Sequence, residues 1–138
     1  MSLVVASLIG CVTHRDFLTT FRVKGALFDD EGKSSGLASV TLIDSGLDDQ
    51  RPADMRNIVT QDVALGASFD FVQGYHWGAS RRNPSETAAL TVVIDSKGCQ
   101  KYTREVRLAS LQRSGRETVL DLGSLSLSCM ADIKLGED

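Results

Sequence analysis

Short runs of alternating apolar and polar residues, separated by glycine and acidic residues, constrain this chain more than any other feature. Residues 37–44 read LASVTLID and residues 67–72 read ASFDFV. A period of two places alternate side chains on one face of a strand, and Asp or Gly between such runs favours turns. The 12 Gly and 2 Pro of the 138 residues suit many strands and tight turns. We therefore predict one all-β domain, an antiparallel β-sandwich of about seven strands.

Two pairs of runs predict β-hairpins. Residues 20–28 and 37–44 are joined by an acidic segment that contains Gly32, which favours a hairpin between them. Residues 100–108 and 117–128 are joined around residues 112–115 and predict a second hairpin.

Three further features complete the predicted strand pattern. Residues 88–95 are rich in β-branched side chains, as in a central strand that is buried on both faces. A short strand is expected at 57–62, after a polar loop at 45–56. The alternation of leucines changes phase at Gly123, which predicts a β-bulge there.

The N-terminal segment points to a lipid anchor. Residues 1–10 are uncharged and largely apolar, and the letters LIGC that end at Cys11 resemble a bacterial lipobox. Cleavage before Cys11 would leave its thiol to carry a lipid. The alternative is a first strand that ends in Gly-Cys. We expect a signal remnant and tether at 1–18, the sandwich at 19–129 and a C-terminal tail at 130–138.

The cysteine count is compatible with this anchor and with one disulfide. If Cys11 is acylated, Cys99 and Cys129 remain as a pair, which suits an oxidising compartment. In the second predicted hairpin, residues whose numbers sum to about 228 face each other, and these two cysteines meet that condition. We predict a Cys99–Cys129 disulfide. The alternatives are two buried free thiols, or a register shifted by one residue.

A loop predicted at 73–87 is the main candidate for ligand or partner binding, because aromatic side chains and arginine dominate binding hot spots. In the alternative interpretation its aromatic rings cover the core. Catalysis is not expected, because the loop has no obvious nucleophile with an orienting partner. The candidate residues are Tyr75, His76, Trp77, Arg81 and Arg82.

Metal, cofactor and nucleic-acid functions are not expected. The acidic residues Asp44, Asp48, Asp49 and Asp54 lack the spacing of an EF-hand, which favours a solvated acidic loop over a calcium site. Three Cys without a nearby His do not form a zinc set. The net charge is −3 and we find no Lys/Arg stripe, so a nucleic-acid surface is not expected.

The order of turns and strands resembles carboxypeptidase regulatory-like domains. The resemblance covers residues 20–128: an opening with Gly25 and an Asp-rich turn ending in Gly, a Phe-x-Phe strand at Phe69 and Phe71, and a closing Leu-Gly-Ser-Leu-Ser-Leu at 122–127. It implies a transthyretin-like (prealbumin-like) sandwich without catalytic residues, used as an accessory or binding module.

Together these features predict a non-catalytic lipoprotein of the bacterial cell envelope, on the periplasmic side and lipid-anchored to the outer membrane through Cys11. Its partners would be other envelope proteins. The alternatives are a subunit of an envelope secretion or appendage assembly, and a small transthyretin-like hydrolase. The last is disfavoured because the chain ends in KLGED, where those hydrolases carry Tyr-Arg-Gly-Ser.

Overall fold

The chain forms eight β-strands in a computed structural model that describes residues 15–30, 36–48, 51–79 and 87–129. Two short 3-10 turns, Ala53–Met55 and Leu108–Ser110, lie between strands. The strands are β1 (Arg15–Asp29), β2 (Leu37–Asp44), β3 (Asn57–Ala64), β4 (Ser68–Ala79), β5 (Ala89–Ser96), β6 (Tyr102–Arg107), β7 (Gln112–Ser114) and β8 (Glu117–Leu127).

The strands form two four-stranded sheets. Sheet A has the order β4-β1-β8-β7 and sheet B the order β3-β2-β5-β6. Neighbouring strands are antiparallel except β1 and β8, which run parallel. The predicted all-β sandwich is confirmed, as is the central position of the strand at 88–95, which is β5.

The core lies between the two sheets and follows the alternation in the sequence. In β2 the side chains of Val40 and Leu42 are fully buried, and Thr41 between them is partly exposed. Sheet A contributes Phe21, Val23 and Leu120 from its two central strands. Burial of each such side chain contributes about 2 kcal/mol, which makes this apolar layer the main source of stability.

The predicted hairpin between residues 20–28 and 37–44 is wrong. The first run lies in β1 of sheet A, which begins at Arg15, and the second is β2 of sheet B. The connection between Asp30 and Gly36 therefore passes from one sheet to the other. Each strand buries its apolar face, but against the opposite sheet and not beside its sequence neighbour.

The predicted hairpin between residues 100–108 and 117–128 is also wrong, because β6 belongs to sheet B and β8 to sheet A. The partner of β8 on that side is the short strand β7, through the turn at Gly115. The predicted disulfide is present nevertheless. Cys99 and Cys129 form an isolated antiparallel bridge and a disulfide where the two sheets meet.

Gly123 forms the predicted bulge in β8. The pairing of β1 with β8 shifts between Lys24 and Ala26, which lie opposite Asp121 and Ser124. Gly123 has φ +63°, a conformation that favours glycine. The backbone of β1 comes very close at this point: a Cβ added to Gly25 would lie 2.9 Å from the carbonyl oxygen of Gly123. Both glycines are required by the way the two strands meet.

The predicted loop at 73–87 is wrong over its first half. β4 continues to Ala79, so Tyr75, His76 and Trp77 lie in a strand that pairs with β1. Arg81 and Arg82 lie outside the described residues, as do Cys11 and the tail at 130–138. The short strand expected at 57–62 is confirmed as β3.

Candidate functional site

The candidate site lies where β4 ends, at the end of the sandwich that also carries the loop after β2. Alternation along β4 points Tyr75 and Trp77 inward, with 7% and 4% of their surface exposed, and leaves His76 exposed. Of the predicted binding residues that are described, two are therefore part of the core. Only His76 offers its side chain to solvent.

Asp44 organises the loop beneath this surface. It is the last residue of β2 and is fully buried. Its Oδ1 accepts hydrogen bonds from the backbone N–H groups of Gly46 (3.1 Å) and Leu47 (2.6 Å), and its Oδ2 accepts one from the N–H of Asp48 (3.0 Å). Three backbone donors thus hold one carboxylate, which fixes the loop as it leaves the strand.

Tyr75 and Arg56 complete the surroundings of this carboxylate. The hydroxyl of Tyr75 donates to Asp44 Oδ2 over 2.7 Å, and Nη1 of Arg56 lies 3.3 Å from Oδ1. Burial, followed by the hydrogen bond to Asp44, raises the pKa of Tyr75 above its ordinary value. The phenol therefore stays protonated as a donor to the carboxylate. The prediction of a solvated acidic loop is wrong for Asp44, which serves as an internal brace.

Asp48 and Arg51 attach the same loop to the outer edge of β4. The backbone N–H of Gly78 donates to Asp48 Oδ2 (3.1 Å), and Nη2 of Arg51 donates to the carbonyl oxygen of His76 (3.0 Å). Arg51 also lies over the ring of Tyr75, 4.8 Å from its centroid. Two side chains thus occupy edge positions where a neighbouring strand would bind. Asp48 is buried as well, and Asp54 is exposed.

Trp77 forms the apolar base of the site. Its ring stacks on that of Phe17, with centroids 4.4 Å apart, and its Nε1 donates to the Thr19 hydroxyl over 3.0 Å. This hydrogen bond satisfies the one polar atom of a buried indole.

A shallow groove of about 320 Å³ lies over these contacts. It combines carboxylate, guanidinium, imidazole and indole groups, a mixture suited to binding a polar partner rather than an apolar ligand. Its floor is fixed by the hydrogen bonds described above. The residues that line the groove are Asp16, Asp48, Arg51, His76, Trp77 and Gly78.

The sequence analysis missed the brace at Asp44 and the continuation of β4. A signal for the second was present, since Phe69, Phe71, Tyr75 and Trp77 keep one period of two. Gly74 and His76, which lie among these residues, obscured the pattern. Asp44 could not be recognised, because a carboxylate at the end of a strand looks the same whether it is buried or solvated.

Charge is distributed unevenly along the sequence, and one segment is strongly cationic. Residues 97–116 carry six Lys or Arg and one acidic residue, a net charge of +5. The rest of the chain carries nine Lys or Arg and 17 Asp or Glu, a net charge of −8. The two parts together give the net charge of −3. All six side chains are exposed: Lys97, Lys101, Arg104, Arg107, Arg113 and Arg116.

In the part of the chain that the structure describes, no group of three or more His, Cys, Asp or Glu is placed to hold a metal ion. Within the same residues, no helix has the length and apolar character needed to cross a membrane.

No protein-family model matches this sequence, and no curated protein sequence is significantly similar to it.

Proposed function

We propose that this protein is a non-catalytic binding or scaffolding module of the bacterial cell envelope, held at the outer membrane by a lipid on Cys11. In this proposal the sandwich is of the carboxypeptidase regulatory-like type, and its partners are other envelope proteins. The groove beside His76 is the partner-binding surface.

The observation that carries the proposal is that the buried polar side chains at the end of the sandwich are occupied by hydrogen bonds within the protein. The buried Asp44 and Tyr75 are bonded to each other, and Asp44 is further held by three backbone N–H groups. Groups so fully engaged brace a surface and are poorly placed to attack or protonate a substrate. What this leaves facing solvent is a rigid groove with His76 and Arg51 at its surface, as a binding module requires.

The disulfide supports the location. Cys99 and Cys129 are joined, and disulfides persist in oxidising compartments, of which the bacterial periplasm is one. With this pair oxidised, Cys11 is the remaining cysteine and is available for acylation.

The test of the anchor is the intact mass and membrane fractionation of the protein expressed from its native gene in a bacterial host. We expect a chain that begins at Cys11, carries acyl groups and sediments with outer membranes. The Cys11→Ser variant should stay uncleaved or be released from the membrane fraction. An unmodified chain in the cytosolic fraction would overturn the proposal.

The test of the groove is site-specific photo-crosslinking in the same cells. A photoreactive residue at position 76 should give a discrete adduct that Arg51→Gln weakens. The matched control is position 60, an exposed site on β3, where no adduct is expected. Equal adducts from both positions would show that the groove is not the binding surface.

A further inference from the structure

We propose that the free edge of β6 binds an extended acidic segment of a partner polypeptide, which adds a fifth strand to sheet B. The inference deepens the binding role proposed above, and it requires neither the lipid anchor nor the groove beside His76.

The first observation is that β6 offers unpaired backbone groups. It is the outer strand of sheet B, and among the described residues it pairs only with β5. Leu108 donates its N–H to the carbonyl oxygen of Ala88 (2.9 Å), and the β5–β6 register is unbroken. Because backbone groups alternate in direction along an antiparallel strand, Thr103 and Glu105 direct their N–H and C=O groups away from β5. Those groups are available to an added strand.

The second observation is a contrast between two edges of the sandwich. The outer edge of β4 is covered by Asp48 and Arg51, which bond to its backbone at Gly78 and His76. At the end of β6, the hydroxyl of Ser110 donates to the outward carbonyl oxygen of Arg107 (2.7 Å). The middle of the β6 edge has no such cover in the described part of the chain.

The third observation is the charge along this edge. The cationic segment, residues 97–116 with net charge +5, contains β6, and from Lys101 to Arg107 three cations stand against the one carboxylate of Glu105, a net charge of +2. None of its six cations forms an ion pair with a described residue, whereas Arg22 on sheet A is paired with both Asp70 and Glu117. Charged side chains on an edge strand oppose pairing with an identical edge. The same charges attract an acidic segment. Positive charge at this edge therefore both opposes pairing with a second copy of β6 and favours an acidic partner.

A groove beside the edge gives the added strand a second element of recognition. It encloses about 230 Å³ and is lined by Val106, Leu111 and Arg104, together with Lys24 and Asp121 of sheet A. Alternate side chains of an added strand point to opposite faces, so one set can enter this groove while the other meets the outer face. In a segment that alternates apolar and acidic residues, the apolar set would lie beside Val106 and the acidic set on the face that carries Arg107 and Glu105.

The test uses the purified Cys11→Ser chain and a fluorescent peptide of about eight alternating valine and glutamate residues, measured by anisotropy. We expect saturable binding that weakens as salt rises from about 50 mM to about 500 mM. The same peptide with lysine in place of glutamate should not bind. Arg104→Gln combined with Arg107→Gln should weaken binding by about tenfold or more, and Thr103→Pro by about tenfold, since it removes one outward N–H.

The matched control for the backbone is Asp62→Pro, on the opposite edge of sheet B. The N–H of Leu65 donates to the carbonyl oxygen of Gly36 (3.1 Å), so Leu65 directs its backbone groups toward β2. Because this direction alternates along the strand, Asp62 directs its N–H outward, as Thr103 does in β6. This variant should bind the peptide as the parent does. If Thr103→Pro fails to fold, hydrogen exchange on the parent chain decides: bound peptide should slow exchange at Thr103 and Glu105.

Three results would overturn the proposal. One is no binding of the acidic peptide, or binding without protection of the β6 amides. Another is equal binding of phosphatidylglycerol vesicles or single-stranded oligothymidine, which would make the surface a general anion patch. The third is self-association of the chain through β6, seen as a dimer by light scattering. Membrane fractionation of the native protein stays unaffected by any of them, so the anchor proposal is judged separately.

Discussion

Asp44 is a single side chain on which a large part of the loop architecture depends. Its carboxylate accepts from three backbone N–H groups and from the Tyr75 hydroxyl while it is completely removed from water. A buried carboxylate is tolerated only when its lone pairs are satisfied, as they are here. The loop and the β4 strand therefore depend on one another through this residue.

We expect Asp44→Asn to lower the free energy of unfolding by about 2 to 4 kcal/mol, since an amide has one acceptor oxygen and leaves buried donors unpaired. Urea denaturation measures the change. The matched control is Asp54→Asn, an exposed residue in the same loop region, which should change stability by less than about 0.5 kcal/mol. Equal effects of the two substitutions would contradict the role of Asp44.

Tyr75 should make stability depend on alkaline pH. Its pKa in the folded protein is raised by burial and by Asp44, so folding favours the protonated phenol. This contribution is fully present below about pH 10, the ordinary pKa of tyrosine, and is lost as pH rises further. The difference in unfolding free energy between the parent and Tyr75→Phe should be constant at lower pH and shrink above that value. A difference that grows above pH 10 would refute this.

At the scale of strands, β1 and the bulge of β8 approach each other closely at Gly25. The space at Gly25 is limited by the backbone of Gly123 and by the Cβ of Leu122, 3.1 Å from an added Cβ. Backbone cannot move aside as a flexible side chain can. The bulge at Gly123 therefore requires a glycine at position 25, and the two together determine how closely β1 and β8 pack.

Gly25→Ala should lower the free energy of unfolding by about 1 to 3 kcal/mol, the usual cost of overpacking. Gly74→Ala is the matched control, because it lies in the neighbouring strand and, among the described residues, its added Cβ would meet only Leu18, at 4.0 Å. The control should be neutral or slightly stabilising. Thermal melts of both variants test this, and similar losses in the two would show that steric contact at Gly25 is not the cause.

Strand positions could be predicted from the sequence, and strand partners could not. Alternation located β2, β3 and β5, and the phase break at Gly123 located the bulge. Both predicted hairpins were wrong because a period of two reports which face is buried and not which strand lies beside it. Consecutive strands usually pair, but here four of the seven connections between described strands pass from one sheet to the other, including those at both predicted hairpins.

The candidate site was predictable only in part, for a related reason. His76 and Trp77 were identified by residue type, and both line the groove. Asp48 and Arg51 come from a distant loop, and their bonds to the β4 edge depend on how the folded sheets bring that loop to it. The disulfide was identified from a register that the hairpin does not have, since Cys99 and Cys129 meet between sheets.

At the scale of the whole molecule, the Cys99–Cys129 disulfide joins sheet B to sheet A. It lies between the end of β5 and the end of β8, and the N–H of Gln100 donates to the carbonyl oxygen of Ser128 beside it (2.7 Å). One covalent link thus closes the sandwich at this end, across a sequence separation of 30 residues.

Replacing both cysteines with serine should lower the free energy of unfolding by about 3 to 4 kcal/mol, from the loop entropy that the link removes. The measurement is urea denaturation in a Cys11→Ser background, with and without dithiothreitol. Reductant should destabilise the parent by a similar amount and leave the double variant unchanged. A parent that is insensitive to reductant under conditions that break the bond would contradict this.

The parallel pairing of β1 with β8 has a consequence for how the protein is made. The two central strands of sheet A are the first and the last of the described chain, so the sheet lacks its middle until residue 127 is available. Contacts of such sequence separation form slowly. A chain threaded through a membrane from its N-terminus would stay unfolded, and so still able to pass through, until almost all of it has crossed. For an exported chain, this topology would delay folding until the compartment where the disulfide can form.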